Sequence, residues 1–227
     1  MDNSVNTDFR LLGFPAGPFQ TNCYIAIDDQ PSAKKDSEGR QPATVIDPGH
    51  GAAELIRQAQ QDHGFYVERI VLTHGHIDHV RDVAEFDVPV FIHDADRALV
   101  EQPADNQRMP ELERIFDVAN MKIPTEVHNL GDDVEIGGRP FRVHHMPGHS
   151  PGSVMFRVPG LVIGGDVLFN GGVGRTDLPG SNPEDMMLSL KRVASEFDDD
   201  DTVLPGHGPQ TTVGQEKKTN PFLHEVQ

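Results

Sequence analysis

The chain has 227 residues, 36% of them hydrophobic, with a formal net charge of −17 and a single cysteine. That length suits one α/β domain over residues 1–227, with layered sheets around its core. The negative charge repels phosphate backbones and anionic membranes, and no basic stripe with interleaved aromatics offsets it, so neither nucleic acid nor membrane is an expected partner.

With Cys23 alone, no intrachain disulfide can form, and the N-terminus shows neither a basic nor an apolar signal region. Both point to a cytoplasmic protein in a reducing compartment. No apolar run reaches the length of a membrane span.

Strand patterns cover residues 9–14, 23–27 and 44–46, followed by a helix at 52–61 and a strand at 70–72, as alternation and helical spacing predict. Residues 28–41 are polar and rich in turn formers, an exposed hairpin loop. Cys23 is expected as a small buried residue in its strand. Asp47, in Asp47-Pro-Gly49, is either a turn former or a support for nearby ligands.

Directly after the strand at 70–72 comes Thr73-His-Gly-His-Ile-Asp-His79, which places His74, His76, Asp78 and His79 within six positions. Imidazole and carboxylate bind divalent transition metals, whereas hydrophobic packing has no use for such crowding. Gly75 lets the chain bend between the first two histidines.

Val80, Val83, Ala84 and Phe86 recur at helical spacing, so Asp78 and His79 should open a helix whose N-terminus favours an ionised Asp78. A strand follows at 88–92 and a short helix at 95–101. Leu112, Ile115, Phe116 and Ala119 form an apolar stripe on a second helix. Residues 94–123, broken by Pro103 and Pro110, are either a cap over the site or a surface helix.

The second half repeats the strand-rich pattern at 133–136, 140–144, 153–158 and 161–163, then a helix at 183–197 with Met187, Leu190, Ala194 and Phe197 as its core face. The acidic run 198–201 reads as a solvated loop before a strand at 202–204. Two β-rich halves with outer helices imply a four-layer αββα sandwich. Further ligand candidates stand among Gly and Pro beside these strands: His149 in Pro147-Gly-His149, Asp166 in Gly165-Asp166 and His207 in Pro205-Gly-His207. Seven ligands exceed one tetrahedral site and fit two metals, as two triads sharing a bridging carboxylate, about 3.5–4 Å apart as in two-metal hydrolases.

This ordered set of motifs resembles the metallo-β-lactamase superfamily over nearly the whole chain, from Asn22-Cys-Tyr24 to Asn220-Pro-Phe-Leu223. Ser150-Pro-Gly-Ser153, Gly165-Asp-Val-Leu-Phe169, Gly172-Val-Gly-Arg-Thr-Asp-Leu-Pro-Gly180 and Thr211-Thr-Val-Gly214 are most similar to type II glyoxalases, the hydroxyacylglutathione hydrolases, in their short bacterial branch. The resemblance implies the metallo-β-lactamase fold, with His74, His76 and His149 on one metal, Asp78, His79 and His207 on the other, and Asp166 bridging. Asp78 and Asp166 are then the carboxylates of the catalytic centre. Two departures stand out. Long glyoxalases carry a C-terminal domain with basic residues for glutathione, whereas only Lys217 and Lys218 follow His207 closely here. Where they place Lys and then Tyr after the Gly-rich loop, this chain has Arg175 and Asp177.

The expected chemistry is thioester hydrolysis by a hydroxide bridging two divalent ions, zinc with iron or manganese also suited. A thiol of pKa about 8.5 leaves as thiolate without a strong acid. Hydroxyacylglutathione (lactoylglutathione), or the ester of another low-molecular-weight thiol, is the expected small-molecule substrate. Arg175 is a candidate to grip its carboxylate through the planar guanidinium, or else a structural partner of Asp177. Asn170 and Gly174 are candidates for close approach of substrate to backbone. His50, His63, His93, His128 and His224 read as ordinary hydrogen-bonding side chains, and one of His144 and His145 as a support for a ligand. The alternatives are a mononuclear iron persulfide dioxygenase, whose family keeps the same string, then a lactonase or β-lactamase, then a noncatalytic metal-binding protein. The sequence leaves the oligomeric state open.

Overall fold

The structure, a computed structural model, describes residues 9–106 and 110–226. In chain order the first half runs β1 (Arg10–Ala16), β2 (Thr21–Ile27), β3 (Gln41–Ile46), α1 (Ala52–His63), β4 (Phe65–Val71), α2 (Ile77–Val80), β5 (Val90–Ile92), α3 (Arg97–Glu101), α4 (Pro103–Asn106), α5 (Pro110–Phe116) and β6 (Val127–Asn129). The second half runs β7 (Asp133–Ile136), β8 (Arg139–His145), β9 (Val154–Val158), β10 (Leu161–Gly165), α6 (Pro183–Glu196), β11 (Thr202–Pro205), β12 (Thr211–Thr212), α7 (Val213–Thr219) and α8 (Pro221–His224).

The strands form two six-stranded sheets, one ordered β1-β2-β3-β4-β5-β6 and the other β12-β11-β10-β9-β8-β7. Both are mixed: β3 through β6 run parallel beside an antiparallel β1–β2–β3 meander, and β10 pairs parallel with β11 but antiparallel with β9.

Both faces of the central strands are buried, and the two-residue period sorts their side chains between layers. Cys23, Ile25 and Ile27 of β2 pack toward α1 and α5 with Ile56 and Phe116, while Ala26 faces the other sheet. In the second sheet Val154 and Phe156 fill the space between sheets, where Phe141 and Ile163 meet Ile46 and Val71. Met155 and Val162 turn outward onto α6 to α8, against Met186, Leu190 and Leu223. Three apolar layers therefore separate helix, sheet, sheet and helix, the four-layer αββα sandwich. Among the described residues no helix is long and apolar enough to cross a membrane.

Several local expectations change. The helix predicted to run on from Asp78 is a single turn, α2, and residues 81–86 continue as turns and bends. So short a helix offers Asp78 little dipole, and neighbouring side chains hold it instead. On α6 the buried face is Met186, Ser189, Leu190 and Val193 rather than Met187 and Ala194. Polar ties fix this face: at the start Asn182 Oδ1 accepts from the amides of Glu184 and Asp185, and at mid-helix Ser189 Oγ donates to the Pro147 carbonyl at 2.7 Å. Of the predicted stripe, Phe116 at the end of α5 is buried, whereas Ile115 on α5 and Ala119 beyond it are exposed. Pro103 and Pro110 each start a helix, the position where a missing N–H costs nothing.

The acidic run before β11 is only partly solvated, because Asp201 is fully buried. It accepts from Arg157 Nε at 2.6 Å, from the Gly160 amide at 2.9 Å and from the Asp198 amide at 3.1 Å. That pins the β9–β10 turn to the start of β11.

Candidate metal centre

The predicted ligands all lie at one end of the sandwich, where strand-end loops of both sheets meet. β4 delivers Thr73 to His79, β8 leads to His149, β10 ends at Asp166 and β11 leads to His207. The sheets are sewn together at this edge. Thr21 bridges to His207, the Asn22 amide donates to the Gly206 carbonyl at 2.7 Å, and the Val154 amide to the Thr73 carbonyl at 2.9 Å. Asn22 Nδ2 and Tyr24 OH both donate to the Pro205 carbonyl.

Two sets of donors result. His74, His76 and His149 offer nitrogens within 4.8 Å of one another, and so do Asp78, His79 and His207 with a carboxylate oxygen. Asp166 stands between them: Oδ2 is 3.4 Å from His149 Nε2 and 3.5 Å from His207 Nε2, and Oδ1 is 3.3 Å from His79 Nε2. All seven predicted residues are thus brought together.

Outer hydrogen bonds aim the rings. Carboxylate and carbonyl oxygens only accept, so His79 Nδ1 donates to Asp47 Oδ2 (2.9 Å), His149 Nδ1 to the Arg175 carbonyl (2.8 Å) and His207 Nδ1 to the Phe19 carbonyl (3.2 Å). Each leaves Nε2 directed at the centre. Thr73 Oγ1 donates to Asp47 Oδ2 and so accepts from His74 Nδ1 at 3.1 Å. His76 instead presents Nδ1, 2.8 Å from His149 Nε2.

Asp47 therefore serves both readings. It turns the chain at φ 50° after β3, and it holds His79 and Thr73 from behind. A third cluster, Asp47 with His74 and His79, is this supporting network, since their inward nitrogens face the other way.

The centre has the electrostatics of a cation site. His74 Nε2, His79 Nε2 and Asp166 Oδ1 are buried with no hydrogen-bond partner, an arrangement that is costly unless something else binds there. Burial, then the neighbouring imidazoles, pushes His74 well below its usual range, and burial with His149 takes His76 down to about 4. These rings are neutral with lone pairs available. Burial would raise Asp78, yet the adjacent His79 and His207 and the Thr21 hydroxyl, 3.0 Å away, hold it well below the carboxylate range. Burial would likewise lower His79, but Asp166 and Asp78 outweigh it and attract a proton there. A metal ion meets the same demand. All donors are nitrogen or oxygen, which suits zinc, iron and manganese.

One supporting residue had no signal in the sequence. Asp96, just ahead of α3, is fully buried and accepts from the Gly75 amide (2.9 Å), Ser150 Oγ (2.6 Å) and the Gly152 amide (2.7 Å). It clips the His74–His76 loop to the His149 loop. Gly75 is required less for bending than for this contact, because a Cβ there would stand 2.8 Å from the Leu99 side chain and 3.0 Å from the Asp96 carbonyl.

A cavity of about 440 Å³ opens over the donors. Leu99 and Leu112 line it, so the segment 94–123 walls the site, residues 107–109 lying outside the described residues. Phe169, Val173, Leu178 and Pro179 also line it, with Phe19 from the β1–β2 turn.

The three substrate-contact candidates fare differently. Arg175 lines the cavity, but its Nε and Nη2 bind both oxygens of Asp177 at 2.8 and 2.9 Å. Asn170 does not line it, and its amide reaches the Gln210 carbonyl instead. Gly174 makes room for the protein's own chain, since a Cβ would meet the Asp166 carbonyl at 2.0 Å and the His149 ring at 2.9 Å. His144 packs on Phe197, and His145 stacks on His93 and reaches the Pro151 carbonyl. Neither supports a donor.

Comparison with known proteins gives the family. The sequence profile of the metallo-beta-lactamase superfamily matches residues 16–207, and the chain belongs to that family. It is 34% identical to the hydroxyacylglutathione hydrolase GloC of Haemophilus influenzae, over 92% of this chain and 96% of that protein. Among solved structures, TTHA1623 in a di-iron-bound form is 39% identical with a TM-score of 0.75, covering 93% of this chain and 100% of that one. The BLEG-1 B3 metallo-beta-lactamase is 31% identical, also with a TM-score of 0.75, over 94% and 99% of the two chains.

Proposed function

We propose that this metallo-hydrolase cleaves thioesters, taking two divalent ions on His74, His76 and His149 and on Asp78, His79 and His207, with Asp166 shared. The observation that carries the reading is Asp166 within 3.5 Å of donors in both sets. When bound, paired divalent ions supply Lewis acidity toward a carbonyl and a water made nucleophilic near neutral pH.

The chain's own residues favour that use. No Ser, Thr, Cys or Lys is among the described residues lining the cavity, so no side-chain nucleophile is offered. Every acidic group there, Asp78 and Asp166, is committed to the centre. Amide cleavage needs a proton for nitrogen, whereas a thiolate departs without one. A thioester of a low-molecular-weight thiol fits both constraints, and the similarity to a hydroxyacylglutathione hydrolase adds support.

Elemental analysis paired with a thioester panel and an oxygen electrode tests the reading. Metal-replete protein should hydrolyse thioesters without consuming oxygen; no turnover of any thioester overturns it, and oxygen uptake with a thiol persulfide would favour the dioxygenase. Asp166→Asn should lower metal content and activity together, by at least tenfold in rate, because it loses a shared negative oxygen.

A further inference from the structure

We infer that the cavity selects an apolar acyl group and discriminates against a charged thiol carrier such as glutathione. This rests on the thioester reading and names its substrate class. Beyond the donors, the described wall is carried by Phe19, Leu99, Leu112, Phe169, Val173 and Leu178. The one charged side chain on it outside the centre is Arg175, and Asp177 takes up its guanidinium through two short bonds.

A glutathione thioester carries two carboxylates and an ammonium, and burying such groups without partners is costly. Among the described residues the wall offers them one cation, Arg175, already paired with Asp177, and a chain of net charge −17 repels an anion on approach. An alkyl chain, by contrast, trades water for apolar side chains, with Phe169 set edge-on against the His207 ring at 5.9 Å to continue the apolar surface down to the centre. In the reaction the acyl carbon gains an oxygen from water and the C–S bond breaks. The sulfur leaves with the bonding pair, and the two protons of water go to the thiolate and, from the new carboxylic acid, to solvent.

The test compares acetyl, butyryl, hexanoyl and octanoyl thioesters of neutral N-acetylcysteamine with the same acyl groups on glutathione, using metal-loaded protein. kcat/KM should rise about threefold to fourfold per added methylene until the cavity is filled. At matched acyl group the glutathione ester should be at least tenfold slower. Asp177→Asn, at an exposed position, frees Arg175 and should narrow that gap; an unchanged gap counts against the neutralised guanidinium.

A flat or falling chain-length series, or a faster glutathione ester, overturns the inference while leaving thioester hydrolysis intact. Calorimetry with the non-hydrolysable S-hexyl thioethers of both thiols separates the two claims. Tighter binding of the neutral thioether without turnover of any thioester would retain the apolar selectivity and discard the thioesterase.

Discussion

At the residue scale, the centre depends on groups that never touch the reacting atoms. Asp47 is buried, bonded to His79 Nδ1 and to Thr73, and through Thr73 it reaches His74, so one carboxylate orients a donor in each set. Asp47→Asn keeps the size but offers an NH₂ where an acceptor is needed. Metal affinity should fall ten- to a hundredfold, the usual effect of losing a ligand's hydrogen-bond partner. Competition against a chromophoric chelator reads this directly, and unchanged affinity would remove Asp47 from the site.

At the element scale, strand-end loops and the single turn of α2 carry the donors, and buried carboxylates fasten the loops. Asp96 joins the loop after β4 to the loop after β8 through three hydrogen bonds. Asp96→Ala would take the acceptor from two buried amides, while the Ser150 hydroxyl keeps Ser153 Oγ at 2.7 Å. With each unpaired group costing about 1–3 kcal/mol, a loss of about 3 kcal/mol or more is expected, read by denaturant unfolding of the metal-free protein. The His76 and His149 donors should weaken for metal at the same time. Asp201 plays a similar part far from the centre, where Arg157 also lies over the Phe197 ring at 5.0 Å. Asp201→Ala should cost about 2–3 kcal/mol, discounted for partial exposure of the arginine, and should leave metal affinity unchanged.

At the scale of the whole molecule, the net charge of −17 acts on any anionic substrate. Salt shortens the reach of that field from about 30 Å at 0.01 M to about 8 Å at 0.15 M ionic strength. Raising salt should therefore speed kcat/KM for a glutathione thioester severalfold and leave a neutral thioester nearly unchanged. Equal salt responses would mean that the field does not reach the cavity.

Much of this architecture could be read before folding was known. The alternation in β2, β9 and β10 sorted side chains between layers, and His74, His76, Asp78 and His79 sat too close together for any use but metal binding. Motif order then joined His149, Asp166 and His207 to them. Asp96 was invisible, because its partners Gly75 and Gly152 lie on either side of it, 21 and 56 positions away, and carry no side-chain signal. The same blindness affected the face of α6, whereas the pairing of Arg175 with Asp177, two positions apart, was one of the two readings the sequence offered.

Local chemistry, meaning residue type and spacing along the chain, determined the strands, the layers and the identity of the donors, since these depend on near neighbours and on what a side chain can bind. Tertiary structure alone decided which nitrogen each histidine presents and which carboxylates stand behind the donors. Those outcomes depend on distances between strand ends contributed by two different sheets, and no spacing in the sequence encodes them.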